Sequence, residues 1–339
     1  MILNNKIYII AEIGMNHNGS LKLAKKSILA AKKSGADAVK FQSFDTNEFL
    51  SDKKTSYSYK KKGKLINENM FNMFKRLEFQ KNWYKTLSLF CKKNSIDFLT
   101  SISDQTSAKN YFSTNPLAIK LASEDIINYR LLNFLAKNKK KGRVVLLSTG
   151  MANKKEIKDA LKILKNYKII LMHCVSLYPT NINEINLRRI LTLKKEFKVA
   201  IGFSDHTLGI EAPILSVAFG TKVIEKHFTL NNNLVGPDHY ISLCPKHFSV
   251  MVKKIRSCEK MLGSGNIEPS GRELVSRKRF RRSIVASRDI KKDEIITAEM
   301  LDLKRPGNGL HPVFINKIIG KRIKKNLSKD QQVLKNNIS

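Results

Sequence analysis

Short, nearly continuous apolar runs that recur about every thirty residues are the strongest constraint in this 339-residue sequence. Runs of this kind are typical of β-strands that are buried on both faces, as in a parallel sheet covered by helices. They occur at residues 7–13, 38–42, 97–101, 118–123, 144–149, 169–174, 199–204 and 222–228. The sequence therefore predicts eight buried parallel strands.

Amphipathic segments fill the intervals between these runs. Residues 20–34, for example, place Leu21, Ala24, Ile28 and Ala31 along one side of a helix. Strand and helix alternate eight times in about 260 residues, which predicts a (β/α)₈ (TIM) barrel of the α/β class. A doubly wound open sheet is the alternative, but the glycine-rich first turn of that fold is missing.

One connection is much longer than the others. Residues 43–80, between the second strand and its helix, are rich in Ser, Tyr and Lys. A loop of that length inside a compact domain is usually functional, so we expect a lid.

The alternation of strands and helices ends near residue 262. Residues 263–282 are rich in Gly, Ser and Arg and are interpreted as a linker. Residues 283–339 contain short β-like runs at 283–286 and 294–296. We therefore divide the chain into a barrel domain (1–262), a linker (263–282) and a small β-rich domain (283–339) that docking stabilises.

The charge of the chain is strongly unbalanced, with 63 Lys and Arg against 28 Asp and Glu and a net charge of +35. Such a field favours nucleic acid, an anionic membrane surface or a phosphorylated substrate. The lysines form short scattered pairs on predicted helix faces, which favours a solvated surface. We expect no nucleic-acid partner.

Cysteine usage and hydropathy predict a soluble, cytoplasmic protein. The four cysteines contain no C-x-x-C pair, which fits a reducing compartment. No stretch approaches the roughly 18 apolar residues of a membrane span, and the first apolar run is too short for a secretory signal. We expect no membrane partner.

Polar residues end all eight predicted strands. Since the carboxyl ends of barrel strands meet at one mouth, these side chains predict an active site there. Lys40 and Lys120 lie inside apolar strands, where a lysine requires an anionic partner. With the hydroxyls of Ser123, Ser148 and Ser204 they would form a cationic cup for a phosphate group.

Two histidines, His206 and His227, end neighbouring strands of the predicted barrel. Imidazoles that converge with water and substrate oxygens suit a divalent ion such as Mn²⁺ acting as a Lewis acid. Structural histidines held by hydrogen bonds are the alternative.

Several short motifs follow one another along the chain. They are AEIG (11–14), NHNG (16–19), VKFQ (39–42), LSTGM (147–151), GFSDHT (202–207), VIEKHFTL (223–230), GPDH (236–239), KRP (304–306) and GLHP (309–312). Together they resemble the motifs of the sialic acid (N-acetylneuraminate) synthase family, and the last two resemble those of its SAF, or antifreeze-like, domain.

This resemblance implies a reaction and the residues that perform it. Members of the family condense phosphoenolpyruvate with an N-acetylated amino sugar to a nine-carbon 2-keto acid and release phosphate. Glu12 and Asp125 would be catalytic, and His206 and His227 would bind the metal, Mn²⁺ first, with Mg²⁺ or Co²⁺ as alternatives. The substrates would be bound by Lys40, Gln42, Ser101, Lys120, Ser123, Ser148, Tyr178, Ser204, Asp238 and Arg305.

The resemblance also implies a domain-swapped homodimer, in which Arg305 comes from the SAF domain of the partner subunit. Two positions depart from the family pattern. Residues 100–103 read TSIS where the family usually has Ser-Thr-Pro-Phe, so the contact expected from Thr falls to Ser101. Residues 123–125 read SED where it usually has Ser-Gly-Glu, so Asp125 replaces Glu with one methylene less.

The acceptor sugar is left open by the sequence. It could be N-acetylmannosamine or one of the 6-deoxy diacetamido sugars that lead to legionaminic or pseudaminic acid. GPDH (236–239) and the turn at Glu12 resemble the sialic and legionaminic enzymes, whereas GLHP (309–312) and residues 174–176 resemble pseudaminic acid synthases, and we prefer the first group. A metal-dependent pyruvate aldolase is a second class, which would release no phosphate. A non-enzymatic nucleic-acid binder driven by charge is a third, and its affinity would fall steeply with salt.

Overall fold

The computed structural model describes residues 2, 6–61, 64–138 and 143–339. The chain consists of two compact units, Met1–Gly263 and Ser264–Ser339.

The first unit contains a closed barrel of eight parallel strands. The strands described in this unit are β1 (Tyr8–Gly14), β2 (Ala38–Ser43), β3 (Ser56–Lys61), β4 (Lys64–Asn69), β5 (Asp97–Ile102), β6 (Ala118–Leu121), β7 (Val144–Ser148), β8 (Lys168–Cys174), β9 (Ala200–Asp205) and β10 (Val223–His227). Around the barrel their order is β1-β10-β9-β8-β7-β6-β5-β2. Each predicted apolar run supplies one barrel strand, which confirms the TIM-barrel prediction.

Ten α-helices are described in the first unit, and those outside residues 43–80 cover the outside of the barrel. The ten helices are α1 (Leu21–Lys33), α2 (Thr46–Phe49), α3 (Met70–Leu77), α4 (Trp83–Lys93), α5 (Gln105–Phe112), α6 (Tyr129–Lys137), α7 (Lys154–Ile163), α8 (Arg189–Phe197), α9 (Glu211–Ser216) and α10 (Pro245–Leu262). In α1 the Ser20 hydroxyl caps the first turn by accepting the Leu23 amide, and the predicted stripe is buried at Ala24, Ile28 and Ala31. Within the described residues, no helix combines the length and the hydropathy needed to cross a bilayer.

Alternation along the strands separates a barrel interior from an outer layer beneath the helices. The interior is apolar at its lower levels, where side chains such as Ile10, Ala38 and Val223 pack together. Two residues further along β1 and β2, the inward positions are charged and are occupied by Glu12 and Lys40. The polar mouth of the barrel therefore rests on a packed apolar interior.

The long connection 43–80 is folded rather than open. It contains α2, the antiparallel pair of β3 and β4, and α3, while residues 62–63 lie outside the described part. Apolar side chains of this insert pack with Met15 in one cluster; they are Phe44, Phe49, Tyr57, Tyr59, Ile66, Met70, Met73, Phe74 and Leu77. The insert thus has a small core of its own, and its role as a lid stays a prediction.

The second unit is built on an antiparallel pair, β11 (Ser283–Ala286) and β12 (Leu301–Lys304). The predicted β-like run at 294–296 adds a single bridge, from Ile295 to Arg322. The unit has an apolar core of its own that includes Ile284.

Part of the segment predicted as a linker is helical. Helix α11 (Gly271–Phe280) begins with a capping box formed by Ser270 and Glu273, which explains why this polar sequence forms a helix. All of its residues are exposed. A further short helix, α12 (Ile315–Ile318), lies between β12 and the carboxyl end.

Candidate active site

Three charged side chains form the floor of the barrel mouth. Lys40 Nζ lies 3.1 Å from Glu12 Oε1 and 3.5 Å from Glu225 Oε1, and all three side chains are buried. Glu12 lies opposite Lys40 in the β1–β2 ladder, with a register shift before Gly14. Gln42, on the same face as Lys40, donates from Nε2 to Glu12 Oε1 at 3.0 Å. Neighbouring strands therefore bring these side chains together at equivalent inward positions.

Burial and mutual attraction set the charge of this floor. Burial raises the pKa of Glu12 to about 7, an effect that Lys40 opposes and Glu225 reinforces. Burial acts to lower the pKa of Lys40, but the two carboxylates outweigh it and raise that pKa. Burial acts to raise the pKa of Glu225, but Lys40 and Lys120 outweigh it and lower that pKa. At neutral pH, Lys40 and Glu225 are charged and Glu12 is partly protonated.

A second buried lysine faces the same space from β6. Lys120 Nζ donates to Ser148 Oγ at 2.7 Å and to the Leu121 carbonyl at 3.0 Å. Burial lowers the pKa of Lys120, and the Lys40 charge adds to that effect while Glu225 opposes it. Binding of an anion would relieve the repulsion between these two ammonium groups.

Hydroxyl groups surround the two lysines. Ser204 Oγ donates to Glu225 Oε1 at 3.0 Å, and Ser123 Oγ accepts the amide of Gly150 at 3.1 Å. Ser101, at the register position next to Lys120, is also buried. The lysines are therefore accompanied by groups that can hydrogen-bond to phosphate oxygens.

Two imidazoles face each other across the ends of β9 and β10. The ring centroids of His206 and His227 are 5.4 Å apart, and the ring of Tyr178 lies 4.1 Å from that of His206. His206 Nδ1 is 2.9 Å from the Val175 carbonyl. Because a carbonyl only accepts, Nδ1 carries the proton and Nε2 is the nitrogen that can bind a metal.

His227 and Asp238 place two further polar atoms at this position. His227 Nδ1 and Asp238 Oδ2 are 3.8 Å apart, and both are buried without a hydrogen-bond partner in the described residues. Burial lowers the pKa of His227 well below its usual range and raises that of Asp238 to about 6. His227 is therefore a neutral imidazole, the form that binds metals.

Gly14 lies where the side chains of the site converge, and its lack of a side chain leaves space for them. Its φ of +52° is in the left-handed region, and a Cβ there would lie 3.0 Å from Glu12 Oε1, 3.1 Å from Gln42 Nε2 and 3.4 Å from Asp238 Oδ2. A side chain at this position would therefore displace the groups that line the mouth.

All these groups line one cavity of about 810 Å³, including its open mouth. The predicted residues on its wall are Glu12, Lys40, Gln42, Ser101, Lys120, Ser123, Ser148, Tyr178, Ser204, His206, His227 and Asp238. The structure therefore brings residues from all eight barrel strands, or from the turns that follow them, into one site.

Comparison with protein families identifies the barrel. The family model described as NeuB family matches residues 27–267, and that of the SAF domain matches residues 281–339. The chain belongs to the NeuB family. Its second unit accordingly contains a SAF domain.

Known NeuB relatives include enzymes that make different nonulosonic acids. The chain is 40% identical to N,N'-diacetyllegionaminic acid synthase of Campylobacter jejuni, over 97% of this chain and 99% of that protein. It is 34% identical to a pseudaminic acid synthase of the same species, over 96% and 94%. A solved N-acetylneuraminic acid (sialic acid) synthetase from Leptospira borgpetersenii is 36% identical, with a TM-score of 0.72 over 80% of this chain and 91% of that one.

Two of the predicted site residues are not on the cavity wall. Asp125 lies in a 3₁₀ turn, accepts Asn128 Nδ2 at 3.1 Å and is buried, and burial raises its pKa to about 7. The carboxylate that the turn places on the wall is Glu124. The turn directs these consecutive side chains to different sides, and the catalytic role of Asp125 stays a prediction. Arg305 lies in the SAF unit, exposed, 5.4 Å from the Phe280 ring, and its role stays a prediction.

Sequence reasoning gave no role to several residues on the wall. Glu225 lies two residues before His227 and therefore on the same face of β10, so strand alternation alone could have identified it. Cys174 Sγ lies 3.8 Å from His206 Nδ1. Burial acts to lower the pKa of His206, but Cys174, the Val175 carbonyl and Asp205 together outweigh it and raise that pKa to about 8, so a metal that binds Nε2 would release its proton. Aromatic residues of the insert also line the cavity, and no local pattern marked them.

Proposed function

We propose that this NeuB-family enzyme is a phosphoenolpyruvate-dependent nonulosonate synthase. It condenses phosphoenolpyruvate with N-acetylmannosamine or a related acetamido sugar to a nine-carbon 2-keto acid and releases phosphate. One observation carries the proposal: two buried lysines with accompanying hydroxyls share a single cavity with two imidazoles. Such a cavity can hold an anionic donor and an activated carbonyl side by side.

The lysine side of the cavity suits phosphoenolpyruvate. Lys40 and Lys120 would offset the charges of its phosphate and carboxylate, and the hydroxyls of Ser123, Ser148 and Ser204 would fix their oxygens. Because the lysines are buried and already in place, they need little reorganisation when the anion binds.

The imidazole side suits a divalent metal, with Mn²⁺ as the first choice and Mg²⁺ or Co²⁺ as alternatives. His206 and His227 would hold it, and the unpartnered polar atoms of His227 and Asp238 support this placement. When bound, the ion would act as a Lewis acid toward the aldehyde of the open-chain sugar. Within the described residues no group of three or more His, Cys, Asp or Glu side chains is arranged to hold a metal ion, so water and substrate would supply the other ligands.

Glu12 is placed to support the reaction at C2 of phosphoenolpyruvate. Attack by C3 on the aldehyde carbon leaves positive charge at C2, which the Glu12 carboxylate would stabilise before water adds. The tetrahedral product then breaks its C2–O bond to phosphate, and the lysines stabilise the departing anion. Gln42 Nε2 holds Glu12 Oε1 in position for this role.

Gln42, Tyr178 and Asp238 would contact the acceptor, because they line the wall around the imidazoles. Arg305 would reach the acceptor's N-acetyl group from the SAF domain of a partner subunit in a domain-swapped homodimer. The higher identity to the legionaminic acid enzyme favours the sialic and legionaminic group of acceptors. The unpaired cysteines support a cytoplasmic location.

A phosphate-release assay tests this proposal. The protein is incubated with phosphoenolpyruvate and each of three acceptors: N-acetylmannosamine and the two 6-deoxy diacetamido sugars. We expect release that needs an acceptor, stops with a chelator and returns with Mn²⁺. His206→Ala should abolish the metal-dependent turnover with the fold intact, whereas the exposed control His247→Ala should retain it. In a parallel reaction with pyruvate in place of phosphoenolpyruvate, consumption of pyruvate would instead identify an aldolase.

A further inference from the structure

The insert contributes an aromatic section to the wall of the polar cavity. The described residues of 43–80 that line the cavity are Phe44, Phe49, Tyr57 and Phe74. The three phenylalanines form a ring cluster in which every pair is in contact. Their centroids are 5.6 Å apart for Phe44 and Phe49, 5.2 Å for Phe44 and Phe74, and 5.3 Å for Phe49 and Phe74.

The ring cluster lies on the mouth side of the charged floor. Phe44 follows β2 four residues after Lys40, which corresponds to about 13 Å of extended chain in the direction of the mouth. The acceptor's reacting carbon must lie near the floor, between Lys40 and the two imidazoles. The opposite end of the sugar therefore points outward, toward the ring cluster.

Ring carbons offer no hydrogen bonds to a sugar hydroxyl. Phe49 and Phe74 are half-buried, so a substrate group that covers them removes further apolar surface from water. A methyl group gains from this contact, whereas a hydroxymethyl group loses water contacts that the rings do not replace. In this section of the wall only Tyr57 carries a hydroxyl that could hydrogen-bond to the sugar, and Tyr57 is not a member of the ring cluster.

We infer that the ring cluster of Phe44, Phe49 and Phe74 binds the terminal carbon of the acceptor as a methyl group. The substrate class is thus an acetamido sugar that is deoxygenated at C6, and these rings determine the specificity for it. This inference rests on the proposed synthase function and narrows its choice of acceptor.

Two acceptors that differ only at C6 provide the test, one with a methyl group and the other with a hydroxymethyl group. For the wild-type protein we expect kcat/KM to be about tenfold or more higher for the 6-deoxy acceptor. Phe74→Ser should bring the two values within about twofold of each other, by lowering the 6-deoxy value. Phe74→Leu keeps an apolar side chain and should retain most of the preference.

Phe71→Ser is the matched control. Phe71 lies in the same helix α3, beneath the Lys53 ammonium group at 5.1 Å and away from the cavity wall. Its variant should keep the wild-type preference, and thermal melts check that each variant is folded.

Two results would overturn the inference alone, and a third would contradict the proposed function as well. Equal kcat/KM for both acceptors in the wild-type protein would overturn the inference and leave the synthase function standing. An equal loss for both acceptors in folded Phe74→Ser would overturn it as well. Absence of phosphate release with every acceptor would contradict the proposed function, and the inference would fall with it.

Discussion

Glu12 is subject to two opposed electrostatic effects, because burial disfavours its charged form and the Lys40 ammonium favours it. Its carboxyl group is fully buried, and it contacts both the Lys40 ammonium and the Gln42 amide. Burial outweighs these favourable contacts and raises the pKa to about 7. Since the folded protein holds this proton more tightly than the unfolded chain does, Glu12 makes stability depend on pH.

Replacing Glu12 with Gln should remove that dependence. The carboxyl group contributes fully to stability below its usual value of 4.5, and the contribution is lost as the pH rises toward about 7. Above that pH its ionisation destabilises the fold by about 3 kcal/mol. Melting temperatures measured without divalent ions should therefore show Glu12→Gln gaining on the wild type between pH 4.5 and 8.

Glu184→Gln is the control for this comparison, because Glu184 is exposed. Glu184→Gln should change the melting temperature by the same amount at pH 4.5 and at pH 8. A wild-type and Glu12→Gln difference that stayed constant across this range would show that Glu12 ionises normally in the folded protein.

At the scale of elements, a buried ion pair joins the two strands that carry the imidazoles. Lys226 Nζ lies 2.5 Å from Asp205 Oδ2, both side chains are fully buried, and the two residues pair in the β9–β10 ladder. Asp205 also accepts the Thr207 amide at 3.0 Å. His206 and His227 are sequence neighbours of this pair, so it fixes the backbone from which both rings project.

Lys226→Met should lower the free energy of unfolding by about 3–5 kcal/mol, because it leaves the Asp205 carboxylate buried and unpaired. The double variant Asp205→Leu with Lys226→Met should recover most of that loss. Its affinity for Mn²⁺, measured by titration calorimetry, should still be lower than that of the wild type. The exposed pair Lys155 and Asp159 is the control, and Lys155→Met should change stability by less than about 1 kcal/mol.

A double variant as unstable as Lys226→Met would show that the charges are needed for the fold itself. Unchanged Mn²⁺ affinity in a stable double variant would show that the pair does not position the imidazoles.

The elements also show what could be predicted from the sequence. The apolar runs predict every barrel strand, and alternation predicts that Lys40 and Gln42 share a face, because both patterns are local. The position of Glu124 rather than Asp125 on the cavity wall was not predictable, because it depends on the geometry of one 3₁₀ turn. The ring cluster was missed for a related reason: its members are brought together only by the packing of the insert.

At the scale of the whole molecule, the role that we propose for Arg305 would make the synthase depend on both units of the chain. Arg305 belongs to the SAF unit and is exposed there, so its substitution should leave that unit folded. We expect Arg305→Ala to raise the KM for the acceptor by about tenfold or more, with little change in the KM for phosphoenolpyruvate. Arg288→Ala, at another exposed position of the same unit, is the control and should leave both KM values unchanged.

Complementation tests whether Arg305 acts across a domain-swapped dimer. Arg305→Ala and Lys120→Met damage different parts of the site, so a mixed dimer would contain one site with both residues intact. Co-expression of the two variants should restore about a quarter of wild-type activity at low acceptor concentration. No restoration in isolated mixed dimers would place Arg305 and Lys120 of one chain in the same site.

The fate of the bridging oxygen of phosphoenolpyruvate tests the central claim most directly. With ¹⁸O between C2 and phosphorus, and with acceptor and Mn²⁺ present, we expect the label in inorganic phosphate and an equal amount of unlabelled nine-carbon 2-keto acid. Label retained at C2 of the product would contradict cleavage of the C2–O bond to phosphate, and phosphate released without any keto acid would contradict carbon–carbon bond formation in this cavity.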